Sequence, residues 1–257
     1  FCKLYNKKIE YCIILKKGGI KMEYCEVKVF IKMKENVKCD YMYSVINRYV
    51  NYTLLNDKKM KDIHKVNCFK FYTFCLPYPI EKDGVYYKDR IYTFNIRSIN
   101  NEIVLRIGRA LEKECASFKV EGKDFVSYKA ENIDKLITLT PVVVTMSQGK
   151  YWAKEDGVDE LVKKLNSNAE RKLKTYFDIS ENESNDNFIS DIKQKNNRLI
   201  MIPYKEGCLF GNKFEITVNK DEWSQRRAGI AAAVGLGEKG QIGCGYCRII
   251  KDNKKGE

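Results

Sequence analysis

His64 is the one histidine of the 257-residue chain. Imidazole has its ordinary pKa in the physiological range, which suits it to moving protons. A second constellation is the run G-L-G-E-K-G-Q-I-G-C-G at 235–245, five glycines in eleven positions. Such a run makes a poor helix and a poor strand, so either the chain turns sharply or something approaches its backbone. Bare amide N–H groups reach phosphate oxygens, and Lys239 adds a point charge. A dinucleotide fingerprint needs a strand before its glycines and a helix after; here a helix precedes and a strand follows. The G-K-S/T of a P-loop is missing. Cys244 and Cys247 form a C-x-x-C, but strand residues three apart point to opposite faces. A zinc site would also need two more ligands. These thiols therefore read as small apolar side chains, and neither metal nor cofactor is expected.

The elements that must position these residues are legible from periodicity. Cys25, Val27, Val29, Ile31 and Met33 alternate with charged residues as a half-buried strand. Met42, Val45, Ile46, Tyr49 and Val50 recur at helical spacing, with Asp40 as a cap. Strands are expected at Phe69–Tyr78 and Ile91–Ile96, a helix through Ile103–Leu111, and one or two short strands in Phe118–Tyr128. The order then repeats: a strand at Leu136–Met146, a helix from Val158, paired strands at Leu199–Ile202 and Phe214–Val218, a helix at Glu222–Val234, and a last strand at Ile242–Ile250. Residues 178–191 carry five acids and no base, which marks a polar loop. Two successive β-α-β-β-α-β units predict an α+β protein of tandem ferredoxin-like domains, residues 22–133 and 134–250, with a tail at 251–257.

Residues 1–21 read as a translated leader. Lys-Gly-Gly-Ile-Lys before Met22 back-translates to a purine-rich ribosome-binding sequence ahead of a start codon. The balance of 47 Lys+Arg against 34 Asp+Glu gives a net charge of +13, at the level of a nucleic-acid footprint or a Lys-rich solubilising surface. The ten cysteines, several within alternating apolar runs, and the missing secretory signal point to a reduced, cytoplasmic protein without a membrane span.

Gly235-Leu236-Gly237, a stretch containing Lys239, and Gly243-x-Gly245, set between a helix and the last strand, resemble the signature of the CRISPR-associated repeat-processing endoribonucleases of the RAMP superfamily. The run Leu139-Thr140-Pro141-Val142-Val143-Val144 resembles the strand opening that family's second domain. The likeness spans Met22 to about Ile250. It implies RNA contacts by Gly235, Gly237, Lys239, Gly243 and Gly245. Arg226 and Arg227, on the preceding helix, are positioned to neutralise phosphates across the cleft between the domains. His64 occupies the place of the family's catalytic histidine, Lys70 that of a lysine often following it, and Tyr49 that of a tyrosine on the preceding helix. The spacing of Tyr49 with Met42, Val45 and Ile46 equally suits a core position. Phe69, Phe71 and Phe74 are candidates for base stacking.

The chemistry implied is metal-independent. RNA carries its own nucleophile, the ribose 2′-hydroxyl. His64 would move a proton, Lys70 would stabilise transition-state charge, and Tyr49 would be a second proton-handling or positioning group. The products would be a 2′,3′-cyclic phosphate and a 5′-hydroxyl. The implied partners are CRISPR repeat RNA, other interference-complex subunits and a second copy of the chain. A non-catalytic RNA-binding subunit of the same fold is the alternative.

Overall fold

Strand β1 (Glu23–Met33) shows why one sequence period serves two surfaces. Val27, Val29, Ile31 and Met33 are buried on one face, while Tyr24, Glu26, Lys28 and Phe30 alternate onto the other. The first face shares one apolar core with helices α1 (Cys39–Asn56) and α3 (Asn101–Ala110). The second lines a groove against the other half of the molecule. The protein is seen in a computed structural model describing residues 22–65, 68–179 and 187–252. The expected leader and residues 253–257 of the tail lie outside the described residues.

Around β1 the first sheet adds β2 (Tyr72–Phe74), β3 (Ile91–Ser98) and β4 (Phe118–Lys129) in the antiparallel order β2-β3-β1-β4. Helix α2 (Lys58–Lys65) lies between α1 and β2. Asn100 caps α3 by accepting from the amides of Glu102 and Ile103. Asp40 instead falls in the first turn of α1, whose capping position is Lys38 with no side-chain bond.

The second half repeats the topology. Strands β5 (Ile133–Thr138), β6 (Ile189–Gln194), β9 (Phe214–Val218) and β10 (Cys247–Lys251) order as β10-β5-β9-β6. Helices α4 (Val158–Phe177) and α5 (Glu222–Val234) provide the crossovers. Both halves are thus ferredoxin-like, the first strand pairing with the third and the fourth. Strand β7 (Ile200–Tyr204) corrects the expected pairing with 214–218: it pairs with β8 (Gly207–Gly211) as a separate hairpin. Strand β9 pairs with β5 on one side and on the other with β6, which begins at the end of the stretch read as loop. The opening strand of this half stops at Thr138, and residues 142 and 143 make only isolated bridges.

Helix α5 carries no amphipathic stripe, because it is buried nearly all round. Ala231, Ala232 and Ala233 let it pack closely against α4 and touch β2 and β3 of the first half. Met22, Tyr24, Phe71 and Ile99 join its apolar core.

Candidate functional site

The glycine loop follows directly from α5 and is folded onto the protein itself. Leu236 N–H donates to the Gly245 carbonyl at 2.8 Å, Gly245 N–H to Pro141 at 2.8 Å, and Glu238 N–H to Val143 at 2.9 Å. The 141–143 run is therefore the bed on which the loop lies. At Gly245, φ is +68° and a Cβ would stand 1.9 Å from the Leu236 carbonyl oxygen; at Gly243 it would stand 2.5 Å from the Phe74 ring. The close approach that the glycines permit is to the protein's own backbone and core. Gly235, Gly237, Gly243 and Gly245 are all buried, while Lys239 is exposed at the loop's tip.

A buried lysine ties this loop to α4. Lys172 Nζ donates to the carbonyls of Gly235 and Gly237, each at 2.6 Å. Burial pushes its ammonium down to about 7, against smaller upward pulls from Cys247 and Glu238. The Glu238 carboxylate accepts from the amide of Thr145 at 3.0 Å and from its hydroxyl at 2.8 Å. Between the loop and the segment leading into β2 lies a depression of about 280 Å³, lined among others by Lys70, Lys172, Lys239 and Gln241. Lys70 and Lys239 thus line the same depression. Burial lowers the Lys70 pKa from its ordinary value. His64 lies in the last turn of α2, six positions before Lys70. Its side chain is outside the described residues.

Tyr49 is not part of this depression. It is buried in the first core, its ring edge-on to Phe118 at 4.9 Å, and its hydroxyl donates to the Glu112 carbonyl at 2.6 Å. Of its two sequence readings, the core position is the one it occupies, because its face of α1 is the face that meets the sheet. The arginine pair is corrected more sharply. Arg227 is 1 % exposed and lies 3.7 Å from Glu170. Arg226 pairs with Glu222 at 2.5 Å and stacks 4.3 Å over Trp223. Arg227 lies on the buried body of α5, and Arg226, 12 % exposed near its first turn, is held by the exposed Glu222. Phe71 and Phe74 are core residues, and Phe69 packs against Phe71. Cys244 and Cys247 are buried, and burial pushes both thiols up to about 12, far from the low value of a redox pair. Among the described residues no cluster of His, Cys, Asp and Glu is arranged to hold a metal ion. None of their helices is long and apolar enough to cross a membrane.

The halves are locked by Arg97 of β3. Its guanidinium donates to Glu26 at 2.8 Å, to the Tyr246 hydroxyl at 2.7 Å, and to the carbonyls of Ala232 and Cys247. It also lies over the rings of Tyr24 and Tyr246, 4.6 and 4.2 Å from their centroids. Tyr246 also donates to Glu26. Such a buried charge is tolerable because its donors are satisfied. The lock sits at the base of the groove, about 1370 Å³, between the open faces of the two sheets, where Lys28, Lys129, Lys213 and Arg248 are also found.

Lys172 and its neighbours were not singled out from sequence. One signal was present: Lys172 stands seven residues after Leu165 and next to Leu173, on the apolar stripe of α4. A lysine on a buried stripe is expected to hold something.

No family model matches the chain, and no curated protein does. Solved structures do. A CRISPR associated protein Cas6 aligns with a TM-score of 0.63 and 17% identity over 89% of this chain and 100% of that one. A structure described as a RAMP protein binding different RNA substrates gives 0.62 and 17% over 88% and 100%. A Cas6-related protein from Pyrococcus furiosus gives 0.60 and 19% over 90% and 100%. The two ferredoxin-like units in tandem are the fold this chain shares with these Cas6 and RAMP structures.

Proposed function

We propose that the protein is a metal-independent endoribonuclease that cuts CRISPR precursor transcripts within their repeats to give guide RNAs. The observation that supports this reading is that Lys70 and Lys239 line one depression beside the glycine loop, on a chain with the Cas6 fold and with His64 on the adjoining helix. The scissile phosphate would enter that depression between the two ammonium groups. His64 would take the 2′-hydroxyl proton or protonate the leaving 5′-oxygen. Lys70 would offset charge on the phosphorane-like transition state. The strand's 2′-oxygen must lie in line with the leaving oxygen, and the groove between the sheets would hold flanking nucleotides so that it does. The products would be a 2′,3′-cyclic phosphate and a 5′-hydroxyl. The enzyme would keep its product and carry it to other subunits of an interference complex.

The test is incubation with the host's repeat RNA in EDTA, beside His64→Ala and a repeat with a 2′-deoxy at the cut position. Single-site cleavage lost in both controls is expected. Tight binding without cleavage would instead favour a non-catalytic RNA-binding subunit. The commitment of Tyr49 to Glu112 speaks for that second reading, since it removes one of three expected catalytic side chains.

A further inference from the structure

Helix α4 presents a face that the reading above does not use. Lys164, Ser167, Asn168 and Arg171 fall at i, i+3, i+4 and i+7, one side of the helix over two turns, or about 10 Å of axis. That side borders a second depression of about 220 Å³, also lined by Thr145 and the loop residues Gly237 and Glu238. It adjoins the depression of Lys70 and Lys239, and Asn168, Arg171, Gly237 and Glu238 line both.

Three features make this seam more than a solvated helix face. Arg171 and Lys239 are exposed and form no ion pair among the described residues, unlike Arg226, which is held by Glu222. Glu238, the carboxylate on the seam, has both oxygens taken by Thr145. Asn168 is 5% exposed, and its side-chain carbonyl oxygen has no hydrogen-bond partner. A buried acceptor without a donor is costly and calls for one.

We infer that the seam is a nucleotide subsite for single-stranded RNA, with Arg171 gripping a phosphate between the two depressions and Asn168 accepting a hydrogen bond from a 2′-hydroxyl or base amino group of that nucleotide. This rests on the RNA-processing reading and extends the strand's path past the glycine loop onto α4. The amide acceptor supplies selectivity, and Lys164 and Arg171 supply charge at the two ends of the face.

The experiment measures binding of a repeat RNA, made uncleavable by a 2′-deoxy at the cut position, by fluorescence anisotropy from 50 to 300 mM salt. Wild type is compared with Arg171→Ala, Asn168→Ala and Asn168→Leu, each checked for an unchanged melting temperature and circular dichroism. Arg171→Ala is expected to weaken binding about tenfold and to reduce the slope of log K against log salt by about one. Asn168→Ala is expected to weaken binding severalfold, with the loss reproduced in wild type by removing one 2′-hydroxyl or amino group from the RNA. Folded variants that bind within twofold of wild type, with the same slope, overturn the inference. Cleavage by wild type with a silent Arg171→Ala sinks the subsite alone. An Arg171-dependent slope without cleavage sinks the nuclease and keeps the subsite. A wild type that binds no repeat RNA sinks both.

Discussion

Arg97 donates to the hydroxyl of Tyr246 at 2.7 Å, joining two residues 149 positions apart and the two ferredoxin-like units with them. The same guanidinium holds the buried Glu26, so its removal strands a carboxylate. Arg97→Met is expected to destabilise the protein by about 3–5 kcal/mol, the usual cost of breaking a buried pair from one side. Tyr246→Phe is expected to cost only about 1–3 kcal/mol, since Arg97 keeps its other acceptors. Denaturant melts of the two variants check the ranking.

The loop glycines answer to the protein's own packing, and this separates them from glycines elsewhere. Gly245→Ala drives a Cβ into the Leu236 carbonyl. It is expected to cost at least about 3 kcal/mol, or roughly 6–12 °C in melting temperature. Gly207→Ala, at the start of β8 with nothing within 4 Å of its added carbon, is expected to leave the melting temperature within about 2 °C. Thermal melts of both decide it. Equal losses would show that the loop is not closed on itself.

Lys172 gives the fold a pH dependence of predictable sign. In the unfolded chain it keeps its proton to about 10.5, and in the folded chain burial lets it go near 7. Between these values the unfolded state binds more protons, so raising the pH favours the folded state. The stabilisation from this group is absent below about 7 and grows towards 10.5. Lys172→Met removes it, so the melting-temperature difference between wild type and variant is expected to shift in favour of wild type as pH rises from 6 to 9. A difference that stays flat across that range contradicts the assignment.

Tyr49→Phe separates core from catalysis. Losing the bond to Glu112 is expected to cost about 1 kcal/mol, with cleavage rates within threefold of wild type. His64→Ala is expected to lower cleavage by about 10²–10⁴-fold with RNA affinity retained. Single-turnover kinetics on the repeat RNA compare the two.

The sequence suggests phosphate contacts for both Lys239 and Arg226, but the structure parts them. Lys239 is exposed at the loop tip, while Arg226 is bound to Glu222 and Trp223. Lys239→Ala is expected to weaken RNA binding and lower the salt slope by about one, and Arg226→Ala to leave the slope unchanged. Salt titrations of the two variants measure this.

The sequence by itself determined the element order of the first unit and the helices of the second, and through them the fold class, but the second unit's edge strand at 189–194 reads from it partly as loop. Strand alternation at Val27–Met33 and helical spacing at Met42–Val50 are local signals, and their repetition specifies two ferredoxin-like units. It also marked the glycine run and placed Lys239 in it. What it did not determine was which surface each element would meet. Arg226 and Arg227 look like a basic helix face until α5 is seen wedged between the units, where Arg227 is buried and Arg226 is paired with Glu222. Tyr49 had two readings at one helical spacing, and only the docking of α1 on Phe94 and Phe118 chose between them. The strands at 200–204 and 214–218 carry similar patterns, yet only one enters the sheet, because pairing is decided by partners distant in sequence. Local periodicity reports what a segment is, whereas burial, hydrogen-bond partners and the approach of Lys172 to Gly235 and Gly237 are properties of contacts between segments, which appear only once the chain has closed on itself.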